Sequence, residues 1–435
     1  MKPIYQSLAW CVALCVFAGC SREYLQEQDY LAHHSLASIT MLKPSTSDTR
    51  DPKHPAANAQ STHPSTLDSN PNRTKDAPMP HTPYPNPPAP ALTLRKFALA
   101  KPKAKQILHK NTLIYTNQNP EAALPPSVSF GDVLEFYTTP VANAKPPKPL
   151  PMANESFHHL AHLPQSPKTS IVWLGHSSLY VVHNGLHILI DPLFTSYASP
   201  VWFVNRAFKA HKTYKKEDFP RIDIVLITHS HYDHLDKKTL KSLKSSASYF
   251  IVPQGSAQIL IKYKIPREKI IELNWWEGVR SAAHSLRITA TPAQHNTKRL
   301  GYAANTSLWV SYALELGDKK VFVSGDGGYY THFREIGEFF GSFDLALLEN
   351  GQYNKAWQYS HSFPEQTIRA AQDLRAKVVQ PIHWGRFSAG THAWNEPVDI
   401  LKQLAQIAGI GYNAPQIGEV YYLGDEPKNT LWYRF

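Results

Sequence analysis

The apolar residues of this chain occur in short runs that alternate with polar and glycine-containing segments. From residue 170 onward these runs are rich in Val, Ile and Leu, a pattern typical of buried strands. The predicted strands cover residues 170–174, 179–182, 186–191, 222–227, 249–252, 286–291, 307–315, 320–324, 343–348 and 377–382. Helices are predicted over residues 237–244, 256–263 and 364–374. A hairpin turn is predicted at residues 183–185, where Asn-Gly joins two apolar runs.

Four of the predicted strands end at residues that can ligate a metal ion. Residues 222–227 lead directly into residues 228–236, which hold three histidines and two aspartates. His295, Asp326 and His383 each follow a later predicted strand. Each of these three alone is more typical of a structural residue or a glycine turn, but together they complete a cluster that suits zinc or a similar first-row ion. We interpret residues 228–236 as half of a metal site, because rigid scaffolds place chemistry on loops at strand ends.

Cysteines are confined to the first twenty residues, at Cys11, Cys15 and Cys20. The remainder has no thiolate for a disulfide or a metal, so any metal must be held by His, Asp or Glu. A basic start, the apolar residues 8–17 and a small-residue cleavage region predict a secretory signal over residues 1–20. Residues 16–20 also resemble a bacterial lipobox, which implies lipidation of Cys20. Because Ser21 follows, we expect an outer-membrane lipoprotein facing the periplasm, with plain secretion as the alternative.

A long segment poor in large apolar side chains follows the signal. Residues 43–94 are rich in Pro, Ser, Thr and Asn and bury too little surface to offset their ordering entropy. We predict a disordered tether over residues 21–110, whose basic end, residues 95–110, is a solvated linker or a weak patch for anionic lipid headgroups. The folded domain is expected over residues 111–435, beginning with an irregular collar. The formal charge of +11 would suit nucleic acid, but no such binding module is visible and we expect no nucleic acid partner.

The motif His-x-His-x-Asp-His, with a downstream His, an Asp in a Gly-Asp-Gly-Gly turn and a final His, resembles the metallo-β-lactamase fold superfamily. Within it, the chain is most similar to the family of N-acylphosphatidylethanolamine-hydrolysing phospholipase D and its bacterial relatives. The phrases that carry the resemblance are residues 173–177, 191–194, 198–200, 229–236, 291–295, 324–329 and 382–385. The resemblance implies a four-layered αββα sandwich over about residues 111–435.

The same resemblance implies a ligand set for two Zn²⁺ ions, with other first-row divalent metals as alternatives. It places one ion on His229, His231 and His295, the other on Asp233, His234 and His383, and Asp326 as the bridging ligand. Asp191, Asp236 and His361 fall on positions that support these ligands. Asp236 has a second interpretation as a helix N-cap. We hypothesise that His361 also donates a proton or orients a water molecule, with a purely supporting role as the alternative.

The expected reaction is phosphodiester cleavage by a metal-bridging hydroxide. Two zinc ions bring about four positive charges, and Asp233, Asp326 and the hydroxide together carry about three negative charges. The site therefore keeps a charge of about +1, which favours an anionic substrate group. The resemblance implies a membrane phospholipid substrate, N-acylphosphatidylethanolamine, cut to phosphatidic acid and N-acylethanolamine. Residues 349–354 replace a more basic phrase of the animal enzymes, which leaves the headgroup contacts open.

Two other functions stay open at this point: a lactonase or small-ester hydrolase on the same fold, and a metal-binding envelope lipoprotein without catalysis. The aromatic and basic residues 196–219 are interpreted either as loop packing or as the wall of a substrate groove. The sequence makes no prediction of the oligomeric state.

Overall fold

The computed structural model describes residues 91–109, 111–122, 139–153, 160, 163, 166–210, 213–388 and 390–434. The predicted signal, Cys20 and the tether before residue 91 lie outside the described residues. Two β-sheets share one hydrophobic core in the described part of the chain. Helices flank these mixed sheets, as the predicted αββα sandwich requires.

The strands, in chain order, are β1 Arg95–Ala98, β2 Gln106–His109, β3 Thr112–Tyr115, β4 Ser170–Trp173, β5 Leu179–His183, β6 Leu186–Ile190, β7 Ile222–Leu226, β8 Ala247–Pro253, β9 Ile270–Leu273, β10 Glu277–Ser281, β11 Leu286–Thr291, β12 Ser311–Leu316, β13 Lys319–Val323, β14 Leu345–Glu349, β15 Val378–Ile382, β16 Gly411–Tyr412 and β17 Val420–Tyr422. One sheet has the order β1-β10-β11-β12-β13-β14-β15-β16, and the other has the order β17-β4-β5-β6-β7-β8-β9. Strands β6 to β9 and β13 to β16 pair in parallel, while the remaining neighbours in both sheets are antiparallel.

The described α-helices are α1 Lys237–Leu243, α2 Ala257–Lys262, α3 His332–Phe340, α4 Pro364–Asp373 and α5 Glu396–Ala408. Helix α4 contacts both α3 and α5. Helices α4 and α5 lie against β14 to β16, and α2 contacts β9. Helix α5 buries Val398, Leu401 and Ala405, whose spacing puts them on one face. No helix among the described residues is long and apolar enough to cross a membrane.

The predicted strands and helices are present, with shifts at their ends. The largest shift is at β12, which begins at Ser311 and not at residue 307. The residues before it cross to the neighbouring sheet instead of pairing: the Val310 amide donates to the Thr228 carbonyl at 3.0 Å. The predicted hairpin turn between β5 and β6 is confirmed, since Asn184 and Gly185 have φ values of +46° and +76°.

The structure corrects the prediction of a solvated linker at the basic end of the tether. Residues 95–98 form β1, which pairs antiparallel with β10 at the sheet edge, and β2 and β3 form a separate hairpin. The Phe97 ring occupies the space where a side chain at Gly278 would stand. Lys96 and Lys103 are 3.0 and 2.5 Å from the carboxylate of Glu277. The lysines predicted to be solvated thus pair with a carboxylate about 180 residues away in sequence.

Candidate metal centre

The structure brings together the residues that follow β7, β11, β13 and β15. Residues 228–236 continue from β7, and His295, Asp326 and His383 follow the other three strands. All seven predicted ligands lie in two neighbouring groups of side chains. The convergence follows from the fold, because the ends of these strands meet at one edge of the two packed sheets.

The first group contains His229, His231, His295 and Asp326, whose ligating atoms lie within 4.8 Å of one another. The Nε2 atoms of His229 and His295 are 3.0 and 3.1 Å from Nδ1 of His231. His295 donates from Nδ1 to the carbonyl of Ser360 at 2.9 Å. This hydrogen bond fixes the tautomer of His295 and leaves its Nε2 lone pair facing the group.

The second group contains His176, Asp233, His234 and His383 within the same distance. Asp326 connects the two groups. Its Oδ2 atom is 3.1 and 3.0 Å from Nε2 of His234 and His383, and 3.8 and 4.0 Å from Nε2 of His229 and His295. The carboxylate of Asp326 therefore lies between the two groups, where the resemblance places the bridging ligand.

Asp191 supports the second group. Its carboxylate accepts hydrogen bonds from Nδ1 of His234 at 2.7 Å, from the Thr228 amide at 2.8 Å and from the Thr228 hydroxyl at 2.6 Å. Because a carboxylate only accepts, Nδ1 of His234 carries a hydrogen, so Nε2 presents its lone pair once the imidazole is neutral. These contacts hold the imidazole of His234 in one orientation, and the supporting role of Asp191 toward a bound metal stays a prediction.

Asp236 differs from that prediction. Its carboxylate accepts from the amide and hydroxyl of Thr239, at 2.9 and 2.6 Å, at the start of helix α1. The structure therefore corrects the supporting role of Asp236 to that of a helix N-cap, the second interpretation of the sequence.

His361 lies beside both groups, with its ring centroid 5.3 Å from those of His295 and His383. Its Nδ1 donates to Oε1 of Glu349 at 3.2 Å, and the same oxygen is 3.6 Å from Nδ1 of His383. Glu349 is only 2% exposed, and its second oxygen accepts from the amide of Ser362. One buried carboxylate thus orients His361 and also lies close to the predicted ligand His383.

Glu349, His176 and Arg299 have roles at the site that the sequence does not predict. Nε2 of His176 is 2.8 Å from Oδ2 of Asp233, and the residue follows β4, so the strand-end argument could have found it. Arg299 is 5% exposed and donates to the carbonyls of Ser230 and Leu235 at 2.7 and 3.0 Å. It braces the loop that carries the first ligands, and only the tertiary contacts reveal this.

Burial keeps the imidazoles of the first group neutral. It lowers the pKa of His231 to about 4, and it holds the pKa of His229 and His295 well below the usual value, with the neighbouring histidines adding to the effect. Neutral imidazoles have lone pairs available for a metal ion.

His234 and His383 of the second group have the opposite balance. Burial alone would lower the pKa of His383, but Asp326, Asp233 and Glu349 outweigh it and raise that pKa to about 10. Asp326, Asp233 and Asp191 likewise raise the pKa of His234 against burial. Burial disfavours the charged carboxylates of Asp233 and Asp326, yet His234 and the other imidazoles hold their pKa values well below the usual range. The carboxylates of this group therefore require positive charge beside them.

The side chains of the two groups fit divalent metal ions. Among the described residues, Nε2 of His234, Nε2 of His383 and Oδ1 of Asp326 are buried without a hydrogen-bond partner. Each such atom costs about 1–3 kcal/mol if it stays unpaired. Two of these atoms are imidazole nitrogens beside the carboxylate of Asp326, and the third is one of its own oxygens. Together they indicate a ligand that the chain itself does not supply, and imidazole with carboxylate is the donor set of zinc and similar ions.

Comparisons with known proteins agree with this site. The family model described as a beta-lactamase superfamily domain matches residues 187–384, a range that contains all seven predicted ligands. The chain is 31% identical to an uncharacterized Mycobacterium tuberculosis protein, over 63% of this chain and 73% of that one. It is 30% identical to N-acyl-phosphatidylethanolamine-hydrolyzing phospholipase D 1 of Caenorhabditis elegans, over 58% of this chain and 75% of that one.

A shorter match is to outer membrane protein RomA of Klebsiella pneumoniae, which is 45% identical over 24% of this chain and 79% of RomA. The worm relative is named for hydrolysis, and the family match spans the whole ligand set. The chain therefore belongs to the metallo-β-lactamase superfamily and is one of its metal-dependent hydrolases.

Proposed function

We propose that the chain is a dinuclear zinc phosphodiesterase that cleaves N-acylphosphatidylethanolamine to phosphatidic acid and N-acylethanolamine. The observation that carries the proposal is the position of Asp326, whose Oδ2 lies between two groups of ligating side chains. The choice of substrate is supported by the similarity to the worm phospholipase D, whose name states that activity.

The composition of the site favours an anionic substrate. The proposed ligands are five histidines and two aspartates. Metal ions bound there would supply Lewis-acid polarisation of the substrate and a water molecule of lowered pKa. Two carboxylates balance only about half of the charge that two divalent ions bring, which favours a phosphodiester over a neutral lactone.

The residues around the ligands would position the reacting groups. Asp191 accepts a hydrogen bond from Nδ1 of His234, which leaves Nε2 of His234 available to a metal ion. Nε2 of His176 lies at hydrogen-bond distance from the carboxylate of Asp233 and orients it. Nδ1 of His361 donates its hydrogen to the carboxylate of Glu349. The other ring nitrogen of His361 is therefore available to hold a proton for the departing alkoxide. We infer that His361 is the general acid, and that Asp233 and Asp326 act as ligands at the reacting centre.

We further infer that the chain is an outer-membrane lipoprotein, lipidated at Cys20 and facing the periplasm, with membrane phospholipid as its substrate. The similarity to RomA, whose name states an outer membrane protein, supports an envelope location. The lipobox-like residues 16–20 support the anchor.

The test is a hydrolase panel with the purified, metal-loaded full chain. We expect phosphatidic acid to be released from N-acylphosphatidylethanolamine, with about two zinc ions bound per chain by metal analysis. Asp326→Ala should abolish this release, whereas Asp318→Ala, at an 87% exposed side chain in a turn, should not. Turnover of lactones alone would support the small-ester alternative, and metal binding without any turnover would support the non-catalytic lipoprotein.

A further inference from the structure

A loop beside the metal centre exposes two aromatic side chains at its tip. Trp202 is 62% and Phe203 is 37% exposed, and their rings contact edge to face at 5.6 Å. Large aromatic side chains that stand in water without burial partners commonly mark an interaction surface. We call residues 196–207 the aromatic loop.

The aromatic loop is internally ordered by its own hydrogen bonds. The amide of Ala198 donates to the carbonyl of Asn205 at 3.0 Å, and the amide of Ala207 donates to that of Ser196 at 2.9 Å. The hydroxyl of Ser199 lies 3.1 Å from the carbonyl of Val204 and closes the tip. The exposure of the two rings therefore belongs to a defined loop conformation.

Two attachments place the loop at the edge that carries the site. On one side, Arg386 donates to the carbonyl of Thr195 at 2.9 Å and accepts from the amide of Phe208 at 2.7 Å. Arg386 is three residues beyond the predicted ligand His383. On the other side, the amide of Phe194 donates to the hydroxyl of Thr239, close behind the ligand-bearing residues 229–234.

The charge of this part of the chain has one sign. No Asp or Glu occurs from residue 192 to residue 216, whereas five Lys and Arg residues do. The guanidinium of Arg206 lies 5.7 Å from the centroid of the Trp202 ring, and Lys209 is exposed next to the loop. Aromatic rings that carry an adjacent basic group suit the boundary between lipid headgroups and acyl chains, where the rings enter and the cations meet phosphate.

We propose that the aromatic loop docks the domain on an anionic phospholipid surface. Trp202 and Phe203 enter the headgroup region, and Arg206 and Lys209 contact lipid phosphates. Docking through this loop turns the edge with the metal centre toward the bilayer. The loop serves as a route for lipid substrates only if the chain has the proposed function, and that part of the proposal rests on it. The docking itself requires no turnover.

The experiment is vesicle flotation with the full chain carrying Cys20→Ser, so that an acyl anchor does not dominate the result. This parent protein, with the native loop, should float with vesicles that contain phosphatidylglycerol and much less with vesicles of pure phosphatidylcholine. Trp202→Ser/Phe203→Ser should lower the partition coefficient about ten-fold or more. Arg206→Gln should lower it about five-fold. Ile407→Ser is the matched control, because Ile407 is 83% exposed on α5 and should bind as the parent does.

Equal melting temperatures of all variants would show that each is folded. Unchanged flotation of the double variant would overturn the proposal, and so would an equal loss in Ile407→Ser or equal binding to neutral vesicles. The readout also separates the two proposals. Loop-dependent binding by a protein that hydrolyses no phosphodiester would contradict the proposed function alone, whereas phospholipid hydrolysis without loop-dependent binding would contradict the docking alone.

Discussion

Replacing Asp191 by Asn should weaken metal binding by changing the tautomer of one histidine. In the structure, one oxygen of Asp191 accepts from both Nδ1 of His234 and the hydroxyl of Thr228, and the other accepts from the Thr228 amide. In Asp191→Asn, the side-chain oxygen keeps its hydrogen bond from the backbone amide of Thr228, and the side-chain NH₂ group then faces His234. Nδ1 of His234 must then accept, and its hydrogen moves to Nε2, the atom that faces Asp326 at 3.1 Å.

The size of the effect follows from that geometry. Loss of a hydrogen-bond partner behind a metal ligand costs about 10- to 100-fold in metal affinity, or about 1.4–2.8 kcal/mol. Loss of one hydrogen bond to a charged group, about 1.5–3 kcal/mol, agrees with that range. The metal-free fold should change little, by about 1 kcal/mol, because burial raises the pKa of Asp191 and its charge contributes little to folding.

The assay is competition for zinc against a chelator of known affinity, combined with urea unfolding of the metal-free protein. Asp236→Asn is the matched control, since Asp236 caps helix α1 and Asn caps a helix equally well. Its zinc affinity should equal that of the parent. The reasoning is refuted if Asp191→Asn binds zinc as tightly as the parent, or if both variants lose affinity to the same extent.

Three further predictions concern protons, positioning and the brace of the loop. Because the pKa of His383 is raised to about 10 and that of His234 is also raised, both imidazoles are protonated below those values and must release protons when metal binds. Zinc affinity should therefore rise with pH through neutrality, and calorimetry in buffers of different ionisation enthalpy should detect proton release; pH-independent affinity would contradict this. Glu349→Gln should lower kcat on a phosphodiester about 10- to 100-fold while the metal content is kept, and an unchanged kcat would argue against positioning of His361 by Glu349. Arg299→Met removes two hydrogen bonds to loop carbonyls and should lower the free energy of unfolding by about 3 kcal/mol in urea titration, whereas no loss of stability would show that the brace is dispensable.

The sequence predicted the parts of the site that are encoded locally. An apolar run followed by ligating side chains marks a strand and the loop at its end, and both features depend on neighbouring residues only. His295, Asp326 and His383 were selected by this pattern together with the resemblance, and the structure brings them to the cluster at residues 229–234. The turn at Asn184 was likewise predictable, because its conformation follows from two adjacent residues.

The sequence could not separate residues of the same chemistry that differ only in their distant partners. Asp191 directly follows an apolar segment and Asp236 ends the polar stretch 228–236, yet Asp191 faces His234 and Asp236 caps a helix. Glu349 was visible only as part of a divergent phrase, and its two histidine contacts arise from packing between β14, β15 and the loop at His361. Such contacts join elements far apart in the chain, so no local periodicity records them.

The same distinction applies to the whole chain. Local hydrophobic period and turn chemistry determined the strands, the helices and the candidate ligands, since these are properties of short segments. Tertiary structure alone decided that residues 95–98 extend a sheet, how close Oδ2 of Asp326 lies to the histidines of both ligand groups, and that Trp202 stands exposed. The physical reason is that pairing at a sheet edge, shared ligation and exposure depend on which distant surfaces meet, and that is settled when the two sheets pack.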